Sequence, residues 1–188
     1  MQHVRAVTGR NTLVDGEWQT DIGPYTDERG AFDRGETTFR DRIRDTADAR
    51  FEQASDRHQL HVARNCPSAH DVALTRRLTG LTDPVSMDVV DPWREDEGWT
   101  VTTETVCCTP DTVLGSEHLR DVYVAADPTY TGRVTVPVLW DRERQTIVNN
   151  ESIDITSPAC VQPFLAYLAD FILCNTVELP RRSLFTVM

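Results

Sequence analysis

Lysine is missing from this chain of 188 residues: all 19 basic side chains are arginine, set against 30 acids of which 19 are aspartate. The net charge of −11 leaves no basic face for a phosphate backbone, so nucleic acid is not an expected partner. A lysine-free acidic surface suits a salty cytoplasm, where charge keeps proteins soluble and screening tames repulsion. Also missing is a charge-free apolar run of about 18 residues, which argues against a membrane span. The opening Met1-Gln2-His3-Val4-Arg5 lacks the apolar core of a secretion signal. The five cysteines are odd in number and include no C-x-x-C pair. Neither a disulfide framework nor a dithiol motif fits, and a cytoplasmic location is expected. A metal site is not expected either. His58 and His61 fall on opposite faces of a strand, and the Asp-rich stretch 41–56 lacks the D-x-D-x-D-G spacing of a calcium loop.

What the chain does contain is a sharp strand-turn-helix signal at residues 58–80. Leu60 and Val62 alternate, Asn65-Cys66-Pro67 turns, and Val72, Ala73, Leu74 and Leu78 follow at helical spacing up to Gly80. Proline fits the first helical position because its missing N–H would be unpaired there anyway. Cys66 therefore opens the helix, where free backbone N–H groups and the positive end of the dipole favour negative charge. It is the first candidate nucleophile. His70, one turn on, reads as a packing residue, and Cys107-Cys108 as two small fillers.

Around this signal the chain divides into three parts. Residues 1–57 are polar, with aromatics at Trp18, Tyr25, Phe32, Phe39 and Phe51 that are expected to pin the segment across the domain that follows. Residues 58–156 alternate: strands at Pro84–Val90, Arg133–Trp140 and Gln145–Val148, helices at Glu117–Ala126 and from Asn149, and a long connection at Asp91–Ser116. This is an α/β domain with a mixed sheet. Pro137 interrupts the third strand, where it would remove a ladder hydrogen bond, so a turn or a cis peptide is expected. Residues 157–188 break the pattern, with 19 apolar residues of 32 and only four charges.

The wording of several segments resembles the Xi-class glutathione transferases, the glutathionyl-hydroquinone reductases. The segments are TLVDGEW (12–18), TTFRDRI (37–43), QLHVARNCPSAH (59–70), VSMDVVDP (85–92), DEGWT (96–100), ADPTYTGRVTVPVLWD (126–141) and IVNNES (147–152). The resemblance implies a thioredoxin-like fold in which Cys66 forms a mixed disulfide with glutathione. It further implies that Trp99 packs over the tripeptide, that Val136, beside a cis Pro137, hydrogen-bonds its cysteinyl part, and that Glu151 and Ser152 hold the γ-glutamyl end. Arg133 and Thr135 are lesser members of the set. No cofactor is bound; the co-substrate is glutathione, or γ-glutamylcysteine in a salty host. The partners are small molecules, a thiol and a quinone adduct, and the family forms homodimers.

This chain departs from the family at Ser68, where tryptophan is usual, and at Asp71, where a basic residue is usual. Residues 157–188 bear no resemblance to the all-helical domain that follows in the family and supplies the aromatic-substrate pocket and much of the dimer contact. A frameshift or truncation is the expected origin of that tail, testable by translating the downstream DNA in its other frames. Two further readings stand beside the reductase: a glutaredoxin-like or omega-type thiol transferase, and a non-catalytic thiol-binding remnant.

Overall fold

The computed structural model describes residues 11–22, 28–30, 37–46, 48–157 and 160–161. In chain order the elements are β1 (Thr12–Val14), β2 (Glu17–Gln19), β3 (Ile43–Arg44), β4 (Phe51–Glu52), β5 (His58–Val62), α1 (Pro67–Leu78) and β6 (Val85–Val89). There follow β7 (Arg94–Glu95), β8 (Gly98–Trp99), α2 (Leu119–Ala126), β9 (Val138–Asp141), β10 (Thr146–Asn149) and α3 (Ser152–Ile155). The central sheet has four strands in the order β10-β9-β5-β6. β5 and β6 run parallel through the α1 crossover, and β9 joins β5 antiparallel before turning back into β10. This is the mixed sheet of a thioredoxin-like domain, with α1 and α3 in contact and α2 against β10.

β5 lies between two neighbours and is buried at every position. Central position explains its composition: Leu60 and Val62 supply apolar contact, while His58, Gln59 and His61 are polar and fully enclosed. Two buried polar clusters accompany them. Arg57 donates from Nε to Asp141 at 2.8 Å, and the other carboxylate oxygen of Asp141 accepts the N–H groups of Glu143 and Arg144, which fixes the β9–β10 turn. His61 faces away from the turn, with Nε2 3.3 Å from Asp111 and 4.0 Å from Asp88. Asp88 accepts from the Thr112 N–H at 2.7 Å, and Asp111 accepts from Val113, Leu114 and Ser116. These bonds fasten the far end of the long connection to the sheet.

The α1 stripe differs from expectation. Ala69 and Val72 are buried, whereas Leu74 and Leu78 face outward, Leu78 at 76% exposure. At about 100° per residue Leu74 and Leu78 lie on the side of the helix opposite Ala69 and Val72, so they are turned away from the core. The expected strand at Arg133–Trp140 begins only at Val138, because the residues before it form a loop that ends in the cis Val136–Pro137 peptide. The helix predicted from Asn149 is a single turn, Ser152–Ile155.

The N-terminal segment is held along the domain by the short β1–β2 hairpin, the parallel β3–β4 pair and aromatics. β1 pairs with β2, Leu13 exchanges backbone hydrogen bonds with Gly132, and Phe51 is fully buried. Phe39 stacks on Tyr130 at 5.6 Å and meets Tyr123 edge-on at 6.0 Å. Trp18 lies under the β7–β8 turn, where a side chain on Gly98 would meet its ring at 3.0 Å. Tyr25, Phe32 and the apolar tail beyond residue 161 lie outside the described residues. Cys160 and Val161, at the start of that tail, are buried in the core with Ile43 and Ile155. No helix among the described residues is long and apolar enough to cross a membrane.

The His61 cluster predicts a pH response. Burial pushes the Asp111 carboxyl up, but the hydrogen bonds from His61, Val113 and Ser116 outweigh it and hold the group well below the usual carboxylate range. A carboxyl depressed in the folded state stabilises the protein above its unfolded pKa of about 3.9 and loses that contribution as pH falls toward the folded value. The thermal midpoint should therefore drop from about pH 5 to pH 3, and Asp111→Asn should flatten the drop while costing about 2 kcal/mol at neutral pH. Calorimetry across that range checks it; an unaltered slope in the variant would contradict the assignment.

Candidate active site

At the C-terminal end of β5 the chain turns through Ala63-Arg64-Asn65, closed by the Cys66 N–H on the Ala63 carbonyl at 3.2 Å. Cys66 itself is extended (φ −95°, ψ 113°) and stands at the N-cap of α1 with Pro67 behind it; its carbonyl accepts the His70 N–H at 2.9 Å. The first turn of α1 holds no acid. Asp71 follows, exposed, and His70 is exposed as well, unlike the packing residue expected. Cys66 is half-buried, and its Sγ points at the Val136 carbonyl oxygen 3.6 Å away. That single contact brings the helix start and the cis-proline loop together.

The loop at residues 133–137 is held by tyrosines that the sequence reading passed over. The Tyr123 hydroxyl, fully buried on α2, donates to the Thr135 carbonyl at 2.9 Å and receives the Thr135 N–H at 3.3 Å and the Asn150 side-chain amide at 3.0 Å. Burial pushes this phenol up, so it keeps its proton through the neutral range. Tyr130 similarly donates to the Arg133 carbonyl at 3.0 Å. One buried hydroxyl thus links the residue before Val136 to the residue before Glu151. The signal was available as Tyr123 on the strongly apolar face of α2, where a buried phenol needs partners.

Glu151 is tied down from both sides. Its N–H donates to the Asn149 side-chain oxygen at 2.7 Å, and its carboxylate accepts the Thr37 hydroxyl at 3.0 Å. Ser152 begins α3, which is anchored by Arg40 on Asp154 at 2.8 Å. The segment 37–42 therefore serves as a brace for the Glu151-Ser152 turn. Trp99 is only 7% exposed, and the Arg94 guanidinium lies 4.9 Å from the centre of its ring. Its Nε1 is buried with no hydrogen-bond partner among the described residues.

The remaining cysteines sort by environment. Cys108 is half-buried, turned toward the Val90 carbonyl at 3.6 Å, and burial pushes its thiol up. Burial does the same to Cys160. Cys107 is exposed at φ +68°, so it is not the small filler expected. For a cation, His61, Asp88 and Asp111 each place one ligand atom within 4.8 Å of the others. Their oxygens already serve the backbone of Thr112, Val113, Leu114 and Ser116, which is the use the fold makes of them.

Comparison with known proteins places this geometry. Residues 65–157 match the family model for the glutathione S-transferase N-terminal domain. The chain is 38% identical over 143 residues to the glutathionyl-hydroquinone reductase PcpF of Sphingobium chlorophenolicum, covering 76% of this chain and 44% of that protein. Among solved structures it is similar to a Xi-class glutathione transferase from Natrialba magadii, with 48% identity, a TM-score of 0.70, and coverage of 82% of this chain and 45% of the other. It is also similar to the glutathione-bound YqjG of Escherichia coli K-12, a glutathione transferase homologue, with 36% identity, a TM-score of 0.65, and coverage of 77% and 43%. The chain spans less than half the length of these relatives.

Tyr123→Phe removes three hydrogen bonds and leaves the Thr135 N–H and the Asn150 amide buried without their partner. It should cost about 2 kcal/mol of stability and weaken binding of a γ-glutamyl thiol, measured by urea titration and calorimetry. A variant that keeps both would show that the hydroxyl does not position the loops.

Proposed function

This chain belongs, through the domain at residues 65–157, to the Xi-class glutathione transferases, and on that premise we propose that it is a thiol-dependent reductase of glutathionyl-hydroquinones with Cys66 as nucleophile. The observation that carries the reading is the half-buried Cys66 Sγ at the start of α1, 3.6 Å from the Val136 carbonyl. A thiol substrate lying along that loop would bring its own sulfur to Cys66. Its cysteinyl amide would meet the Val136 carbonyl, and its γ-glutamyl ammonium and carboxylate would meet Glu151 and Ser152. Thr135 and Arg133 shape the same loop through their backbone.

In the proposed reaction the Cys66 thiolate attacks the sulfur of the glutathionyl thioether. An S–S bond forms, the S–C(aryl) bond breaks, and its electron pair remains on the ring carbon, which takes a proton to give the free hydroquinone. A second glutathione thiolate then attacks the mixed disulfide, releasing glutathione disulfide and regenerating Cys66. Overall one glutathione thiol and the thioether sulfur are oxidised to the disulfide while the ring carbon is reduced to C–H, so neither metal nor redox cofactor enters the balance. γ-Glutamylcysteine keeps the end that Glu151 and Ser152 would recognise and lacks only the glycine, so it fits the same site.

The same half-buried Cys66 at the start of α1, beside the Val136 carbonyl, supports one second reading: a thiol transferase acting on small mixed disulfides, which needs only this domain's own loops. Substrate preference separates the two. The purified chain should release hydroquinone from its glutathionyl adduct, and Cys66→Ser should lower the rate by at least about 10³-fold. Activity confined to a small mixed disulfide would favour the second reading. An unchanged rate in Cys66→Ser would exclude both.

A further inference from the structure

Trp93 is the one large aromatic side chain that stands mostly in solvent among the described residues, at 73% exposure, whereas Trp99 and Trp140 are buried. Its backbone is nevertheless fixed. The Trp93 N–H donates to the Asp91 carboxylate at 2.9 Å, Asp91 in turn donates its N–H to the Thr100 carbonyl at 2.9 Å, and the Thr105 hydroxyl bonds the other Asp91 oxygen at 2.5 Å. The carbonyl just before it, on Pro92, accepts the Asn65 side-chain amide at 2.7 Å. Asn65 directly precedes Cys66. The residue after it, Arg94, is turned the other way, onto the ring of Trp99. Trp93 is therefore an exposed indole on a braced lip that is hydrogen-bonded to the residue beside the nucleophile.

We infer that Trp93 is the specificity-determining residue for the non-thiol half of the substrate: a platform on which a planar aromatic ring carried on the thiol's sulfur stacks. A tryptophan left in water forgoes the burial of a large apolar surface, and an indole on a fixed backbone has only its two side-chain torsions left to order on stacking. The inference rests on the reading of Cys66 as the site of thiol chemistry, since it is the Asn65–Pro92 bond that places the lip beside that site. It adds a residue outside the loops at 133–137 and 149–152, and it gives the domain an aromatic contact made entirely by its own residues.

Binding without turnover separates this inference from the proposed reaction. Calorimetric titration of the Cys66→Ser chain compares a glutathionyl-hydroquinone with S-methylglutathione, which share the tripeptide and differ in the ring. The ring-bearing ligand should bind about tenfold tighter, the scale of one aromatic pair. Adding Trp93→Ala should abolish that difference while leaving S-methylglutathione within about twofold, and Trp93→Phe should retain most of it. Equal affinities in the Cys66→Ser parent, a difference that survives Trp93→Ala, or a parallel loss for both ligands would each overturn the inference. Failure of the reaction itself would instead appear in the turnover of the unsubstituted chain, leaving these affinities as they are.

Discussion

The hydroxyl of Tyr123 is the point on which the site depends. It sits at zero exposure and satisfies a carbonyl, a backbone N–H and a side-chain amide from the two loops that flank the β9–β10 hairpin. In a low-dielectric interior such a group is worth most when every partner is in place and costs most when one is lost. One loop then presents the Val136 carbonyl to Cys66; the other carries Glu151 and Ser152. Helix α2 reaches both loops through this one hydroxyl and so sets the spacing between them.

A second constraint comes from outside the sheet. Thr37 on Glu151, Arg40 on Asp154, the Asp41 N–H on the Val148 carbonyl and the Asn150 N–H on the Phe39 carbonyl run the N-terminal segment along β10 and α3. A thioredoxin-like domain alone would leave a four-residue helix such as α3 with little to hold it. Here the brace supplies what the helix lacks. The exposed Leu74, Leu78 and Ile153 show where the domain's own packing stops.

The parts legible in the sequence were those written in local chemistry. Asn65-Cys66-Pro67 announced a helix start because proline at the first helical position and a break in strand alternation can be read without knowing the neighbours. Pro137 announced an interruption for the same reason, and the peptide before it is cis. What escaped depends on partners brought close only by folding. His61 was weighed against His58, its neighbour along the strand, whereas its partners are Asp88 on β6 and Asp111 beyond it. Tyr123 reads as core until Thr135 and Asn150 are seen to converge on its hydroxyl. Leu74 and Leu78 fit helical spacing in the sequence, but spacing alone does not say which face the sheet covers, and it covers the side of Ala69 and Val72. The roles of Trp99, Glu151 and Ser152 came from resemblance, and for Trp99 the observed Arg94 cover gives the ring a partner already.

The proposed reaction turns on selectivity among thiols: Cys66 would react because of where it stands, not because it is the most accessible. Cys107 is the more exposed of the two. Site-resolved mass spectrometry after brief exposure to equimolar glutathione disulfide tests this directly. The account predicts one glutathionyl group on Cys66 while Cys107 remains a free thiol. Labelling that follows exposure, with Cys107 modified first and Cys66 spared, would contradict it.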